Sequence, residues 1–132
     1  MTDRLASLEA IVGPVSRETF DSLVELERQL ALWNRKVSLV SPTTVDDIWR
    51  RHILDSAQLM PLATRRDRWV DLGSGGGFPG LVIAVLLRLG PDKTITLVES
   101  NSKKAGFLKT MCGLLDLKAQ IIVDRIENAV ET

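Results

Sequence analysis

The sequence predicts an α/β fold: N-terminal helices packed on a parallel sheet. Three observations carry this. From Arg68 onward, short runs rich in Val, Ile, Leu and Thr alternate with helical stretches in the order strand, helix, strand, helix, strand. That order implies a parallel sheet with right-handed crossovers. The residues before Arg68 carry helical periodicity instead. Between the first strand and its helix lies VDLGSGGGFPG, Val70 to Gly80, with five glycines at 73, 75, 76, 77 and 80.

In chain order, SRETFDSLVELERQLALWN predicts a helix with Phe20, Leu23, Val24, Leu30 and Ala31 along one stripe and Leu26 and Trp33 beside it. Ser16 is its expected N-cap, and Pro14 closes off what precedes it. SPTT, Ser41 to Thr44, breaks the pattern. A further helix is expected from Thr44, with Asp47 completing a capping box and Val45, Ile48, Trp49, His52, Ile53, Ser56 and Ala57 on one side. Pro61 ends it. These elements make up a helical region over residues 1–64, and residues 65–132 form the α/β part.

In that second part RWVDL, TITLVE and AQIIVD are strands. PGLVIAVLLRLG is a helix with Pro79 near its first turn and Gly90 past its end. It is apolar nearly all round, so it belongs between the sheet and the N-terminal helices. SKKAGFLKTMCGLL is a second helix, weakened by Gly106 and Gly113, and RIENAVET begins a last short one.

A structural turn needs one or two glycines. Five in so short a stretch point to a ligand lying against bare backbone, at the place where doubly wound sheets hold a nucleotide-like cofactor. Gly75, Gly77 and Gly80 form a literal G-x-G-x-x-G, the dinucleotide pattern. Its register is late: counted from Gly73, the first glycine after the strand, the sixth position is Phe78. Charge is the second discriminator. Asp71, at the end of the first strand, would repel a pyrophosphate and attract an ammonium or sulfonium group. S-adenosyl-L-methionine carries both and no phosphate. Glu99, closing the second strand, supplies the acceptor that a ribose diol needs under either cofactor. The runner-up reading is a dinucleotide (NAD)-binding module of an oxidoreductase.

Charge is balanced, 17 basic against 17 acidic residues in 132, so no basic excess announces a nucleic-acid partner. The single cysteine, Cys112, excludes an internal disulfide and suits a reducing compartment. The polar N-terminus does not read as a signal peptide, and the longest apolar run, Leu81 to Leu87, is too short to span a bilayer. A cytoplasmic location without a membrane partner is expected. No group of histidines, cysteines or carboxylates has metal-ligand spacing.

DLGSGGGFPG together with the upstream RHILDS resembles the RsmG (GidB) family, bacterial methyltransferases that modify N7 of a guanine in small-subunit (16S) ribosomal RNA. LWNRKVSLVSPT, LVESNSKKAGFLK and RIEN extend the resemblance over nearly the whole chain. It implies a class I (Rossmann-like) methyltransferase sheet of which only the first three strands are present, S-adenosyl-L-methionine as cofactor, and small-subunit ribosomal RNA or the small ribosomal subunit as partner. It implies donor contacts from Gly73, Gly75 and Phe78 in the turn, with Asp71 beside them. Glu99 would take the ribose, and Ile126 and Glu127 would flank the adenine. Ser38 stands where the family usually has asparagine. On this reading residues 65–132 are the N-terminal half of the cofactor-binding domain, and the chain is a fragment or a natural truncation. The free edge of the first strand would then be unpaired, and little or no activity is expected of the chain alone. A non-catalytic binding or assembly module is the third reading.

N7 of guanine carries a free lone pair, so its methylation needs positioning rather than a general base. No residue is therefore singled out as catalytic. His52, the only histidine, either packs within its layer or faces the site and orients RNA or cofactor. Asp55 is expected to pair with Arg51 one turn earlier. Arg50, Arg51, Arg65, Arg66 and Arg68 are either solvent-exposed or phosphate contacts. Lys103 and Lys104 oppose the dipole of the second crossover helix. Trp33, Trp49, Trp69 and Cys112 suit core packing.

Overall fold

The computed structural model describes residues 2–62, 68–73, 76–87 and 93–129. Helix α1 (Thr2–Val12) is followed by α2 (Arg17–Trp33). Ser16 caps α2 as expected, its hydroxyl oxygen accepting from the Thr19 amide at 3.1 Å. The buried stripe of α2 is Phe20, Leu23, Leu26 and Leu30, while Ala31 is exposed. Leu26 thus sits at the centre of the stripe rather than beside it.

The segment from Thr44 departs from the single capped helix that the sequence suggests. A 3₁₀ turn (Val45–Asp47) leads into a π-helical turn (Trp49–Leu54), then α3 (Asp55–Ala57) and α4 (Leu59–Leu62). Thr44 makes no cap hydrogen bond. Its hydroxyl donates to the Ser41 carbonyl at 3.1 Å and lies 2.9 Å from His52 Nε2. A short hydroxyl serves one neighbourhood at a time, and here the tertiary partner displaces the local cap. Pro61 lies inside α4 instead of ending the helix.

Strands β1 (Arg68–Leu72), β2 (Thr94–Glu99) and β3 (Gln120–Val123) form one parallel sheet in that order. Arg68 pairs with Thr94 and Leu72 with Val98; Thr96 pairs with Gln120 and Glu99 with Val123. The crossovers carry α5 (Gly80–Leu87) and α6 (Ser102–Leu114), and α7 (Ile126–Ala129) follows β3. Leu81 through Val85 are fully buried, which explains the lack of a polar face on α5. It packs on β1 and β2 from one side and against α2 and α3 from the other. Each such Leu, Ile or Val contributes about 1.5–3 kcal/mol of burial.

The core-facing rows of the sheet run through Trp69 and Ile95, and through Leu97 and Ile121. Trp33 meets Phe107 of α6 edge-on at 5.4 Å, and Trp49 meets Phe20 at 5.8 Å, so these tryptophans pack rather than stand free. Cys112 is half-buried, and burial raises its thiol pKa. On the opposite face Val70 is 66% and Leu72 46% exposed. Among the described residues β1 pairs only with β2.

Candidate functional site at the strand ends

Parallel strands place all their carboxyl ends at one edge, and there Gly73 and Ile126 lie close together. Gly73 follows β1 at φ +76°, and its amide donates to the Val98 carbonyl at 2.8 Å, which ties the turn to β2. Among the described residues a Cβ on Gly73 would meet Ile126 Cδ1 alone, at 3.9 Å. Its backbone therefore faces open space beside α7, in a conformation that side-chain-bearing residues rarely adopt. Glu99 ends β2 with a nearly buried carboxylate whose Oε2 accepts from the Asn101 amide at 2.8 Å. Asn101 in turn caps α6, its side-chain oxygen accepting from the amides of Lys103 and Lys104 at 2.9 and 3.0 Å. That acceptor stands where the two lysines, by charge alone, would disfavour the helix start.

Past β3 the Asp124 amide donates to the Glu99 carbonyl at 3.2 Å, bringing Ile126 and Glu127 alongside. Both are exposed, and Glu127 lies 3.9 Å from the Arg125 guanidinium. Hydrogen bonds from the Asn128 amide group and the Arg125 backbone hold Asp124 below its usual carboxylate range.

The remaining described glycines of the turn serve the protein itself. A Cβ on Gly76 would lie 2.9 Å from the Leu39 carbonyl oxygen, and one on Gly77 2.4 Å from Leu81 Cδ1. One on Gly80 would lie 2.0 Å from Leu97 Cδ2 and 2.7 Å from Asp71 Oδ2. The expectation that the glycines as a group clear space for a ligand is corrected: at 76, 77 and 80 they let helix, strand and loop approach. Gly73 alone among the described four opens outward. Asp71 is half-buried, and its Oδ2 accepts from the Gly80 amide at 3.0 Å. The carboxylate thereby ties β1 to the start of α5. Gly75, Arg65 and Arg66 lie outside the described residues.

Phe78 faces the N-terminal helices. Its ring stacks on His52, with centroids 5.0 Å apart and planes at 28°. Together they border a cleft of about 290 Å³ that is also lined by Arg51, Asp55, Leu59 and Pro79. The Thr44 hydroxyl gives its one proton to Ser41, so His52 Nε2 donates to Thr44. Burial, and secondarily the Arg51 charge, lower the imidazole pKa, while Asp55 opposes them. The expected Arg51–Asp55 ion pair is absent among the described residues. Both side chains are exposed, where such a pair is worth only a few tenths of a kcal/mol and does not repay the fixing of two long side chains.

Residues 19–132 match the family model described as rRNA small subunit methyltransferase G, also called GidB.

The chain belongs to the rRNA small subunit methyltransferase G family.

Relatives carrying the name "Ribosomal RNA small subunit methyltransferase G" resemble it over nearly its whole length. The chain is 49% identical over 128 residues to the protein of Chelativorans sp. strain BNC1, covering 97% of this chain and 61% of that one. It is 50% identical over 128 residues to the Brucella canis protein, covering 97% and 60%. For Brucella anthropi the figures are 49% over 124 residues, 94% and 58%. The chain thus spans about three fifths of the length of these relatives. The three-stranded parallel sheet with its helices agrees with the class I methyltransferase α/β fold. The oxidoreductase alternative gains no support, since the family and these relatives are named as methyltransferases.

One residue of this family member's site escaped the sequence reading. Asn34 Oδ1 accepts from the amides of Leu39 at 2.7 Å and Val40 at 3.0 Å. It folds the loop whose Leu39 carbonyl rests against Gly76. The available signal was an asparagine directly after a helix, a residue type that hydrogen-bonds nearby backbone. Among the described residues no helix is long and apolar enough to cross a membrane, and no three His, Cys, Asp or Glu residues gather as metal ligands.

Proposed function

We propose that this chain supplies the methyl-donor half of an S-adenosyl-L-methionine-dependent enzyme that methylates N7 of a guanine in small-subunit ribosomal RNA. The observation that carries the reading is the outward-facing Gly73 backbone beside Ile126, hydrogen-bonded to Val98 next to Glu99, in a chain of this family. The donor set suits that cofactor. Asp71 and Glu99 place carboxylates at the ends of adjacent strands, which favours a cation and disfavours a diphosphate. The bound cofactor would supply an electrophilic methyl group on a sulfonium.

The chain's own part is binding and orientation. Glu99 accepts from the ribose hydroxyls, and Ile126 with Glu127 lies along the adenine. The Gly73 backbone lets the amino-acid end approach without a clashing Cβ. No group here has to remove a proton, because guanine N7 attacks with its own lone pair. Holding N7 in line with the methyl group is the catalytic task.

Calorimetry with S-adenosyl-L-methionine and with NAD tests the reading. Binding of the former and its loss in Glu99→Ala are expected; binding of NAD alone overturns the proposal.

A further inference from the structure

We infer that the cleft between the π-helical turn and Phe78 receives the target guanine, and that Asp55 reads the base through its N1–H and N2–H₂ edge. The inference rests on the guanine reading above and goes beyond it by naming the residue that recognises the base.

Four observations converge. The cleft is bordered by the near-parallel His52–Phe78 pair, an aromatic wall of the kind on which extruded bases stack. Its volume, about 290 Å³, lies at the small end of ligand pockets and suits one planar base. Its Phe78 and Pro79 follow Gly73 by five and six residues in the chain, on the stretch that leads from the methyl-donor site into α5. It is formed where the helix carries a π-turn (Trp49–Leu54), a rare distortion that recurs at functional sites.

Asp55 supplies the discrimination. It is exposed, and among the described residues its carboxylate has no hydrogen bond or ion pair, although Arg51 stands one turn away. Two carboxylate oxygens match the two adjacent donors of guanine's Watson–Crick edge and form charge-assisted bonds with them. Adenine presents an acceptor nitrogen at the same place and is repelled. That guanine edge lies across the fused rings from N7, so gripping it leaves N7 free to face the methyl group. Arg51, also on the cleft, is placed for the nucleotide's phosphate.

The test titrates guanosine, inosine and adenosine 5′-monophosphates into the 132-residue chain at saturating S-adenosylhomocysteine, which occupies the adenine site. Each charge-assisted hydrogen bond is worth about tenfold in affinity. Guanosine monophosphate should therefore bind about 10-fold tighter than the inosine nucleotide, which lacks N2–H₂, and about 100-fold tighter than the adenosine nucleotide. In Asp55→Asn the preference should shrink to about threefold or less, with thermal unfolding little changed because the exposed side chain makes no hydrogen bond or ion pair among the described residues. Equal affinity for guanosine and adenosine monophosphates, no binding of the guanosine nucleotide, or a preference untouched in D55N overturns the inference. S-adenosylhomocysteine affinity is measured separately on the same protein. Its absence would sink the methyl-donor reading, while the nucleotide comparison still decides the cleft.

Discussion

Replacing Gly80 by alanine tests the reassignment of the turn's glycines most directly. The new Cβ would lie 2.0 Å from Leu97 Cδ2, 2.7 Å from Asp71 Oδ2 and 3.2 Å from Asp71 Cβ. Leu97 is fully buried, so its methyl cannot move out into solvent. Asp71 Oδ2 is held by the hydrogen bond from the Gly80 amide. The start of α5 must therefore back away from the sheet. Overpacking of this kind costs about 1–3 kcal/mol, and weakening the Asp71 bond adds about 1 kcal/mol. The better helix propensity of alanine returns at most about 1 kcal/mol. The net loss is about 1–3 kcal/mol, which for a chain of this size lowers Tm by roughly 4–12 °C. Thermal unfolding followed by circular dichroism measures it. Gly106→Ala is the control: beyond its chain neighbours and its own helix backbone, no atom among the described residues lies within 4 Å of its Cβ position on α6, and a gain of up to about 1 kcal/mol is expected. A G80A protein as stable as the parent would refute the claim that this glycine is required by packing.

Asp71→Ala should cost about 1–2 kcal/mol by orphaning the Gly80 amide. Asp71→Asn, which keeps an acceptor, should retain most of the stability while weakening S-adenosyl-L-methionine binding in calorimetry. Asn34→Ala removes the acceptor of the Leu39 and Val40 amides and should lower the urea midpoint by the equivalent of about 1–2 kcal/mol with an unchanged m value. For His52 the folded-state pKa is depressed below the ordinary 6.5. The neutral ring is thus the stabilised form: its contribution is full above that value and is lost as pH falls through the lowered one. Parent and His52→Gln proteins should therefore converge in stability as pH falls below 6.5; parallel curves would refute this.

Most of the fold was legible in the sequence. Strands β1 and β2 coincide with RWVDL and TITLVE, and α5 is sandwiched as its all-round apolar surface demands. Legible too was the place of Glu99 and the glycine turn at the strand ends, because a parallel sheet gathers whatever its strands carry at their carboxyl ends; Ile126 was expected there from the family resemblance alone. Backbone preference and burial pattern are properties of a few neighbouring residues, so the chain by itself settled these.

Tertiary structure decided the rest. It chose Leu26 over Ala31 for the buried stripe, turned Thr44 from a helix cap into the partner of His52, and left Arg51 and Asp55 apart. It also showed that Gly80 is bare because Leu97 arrives from another strand, whereas Gly73 is bare toward open space. The reason is physical: how closely two surfaces approach, and which of several possible partners a polar group takes, depends on where every packed element comes to rest. No local stretch of sequence contains that information.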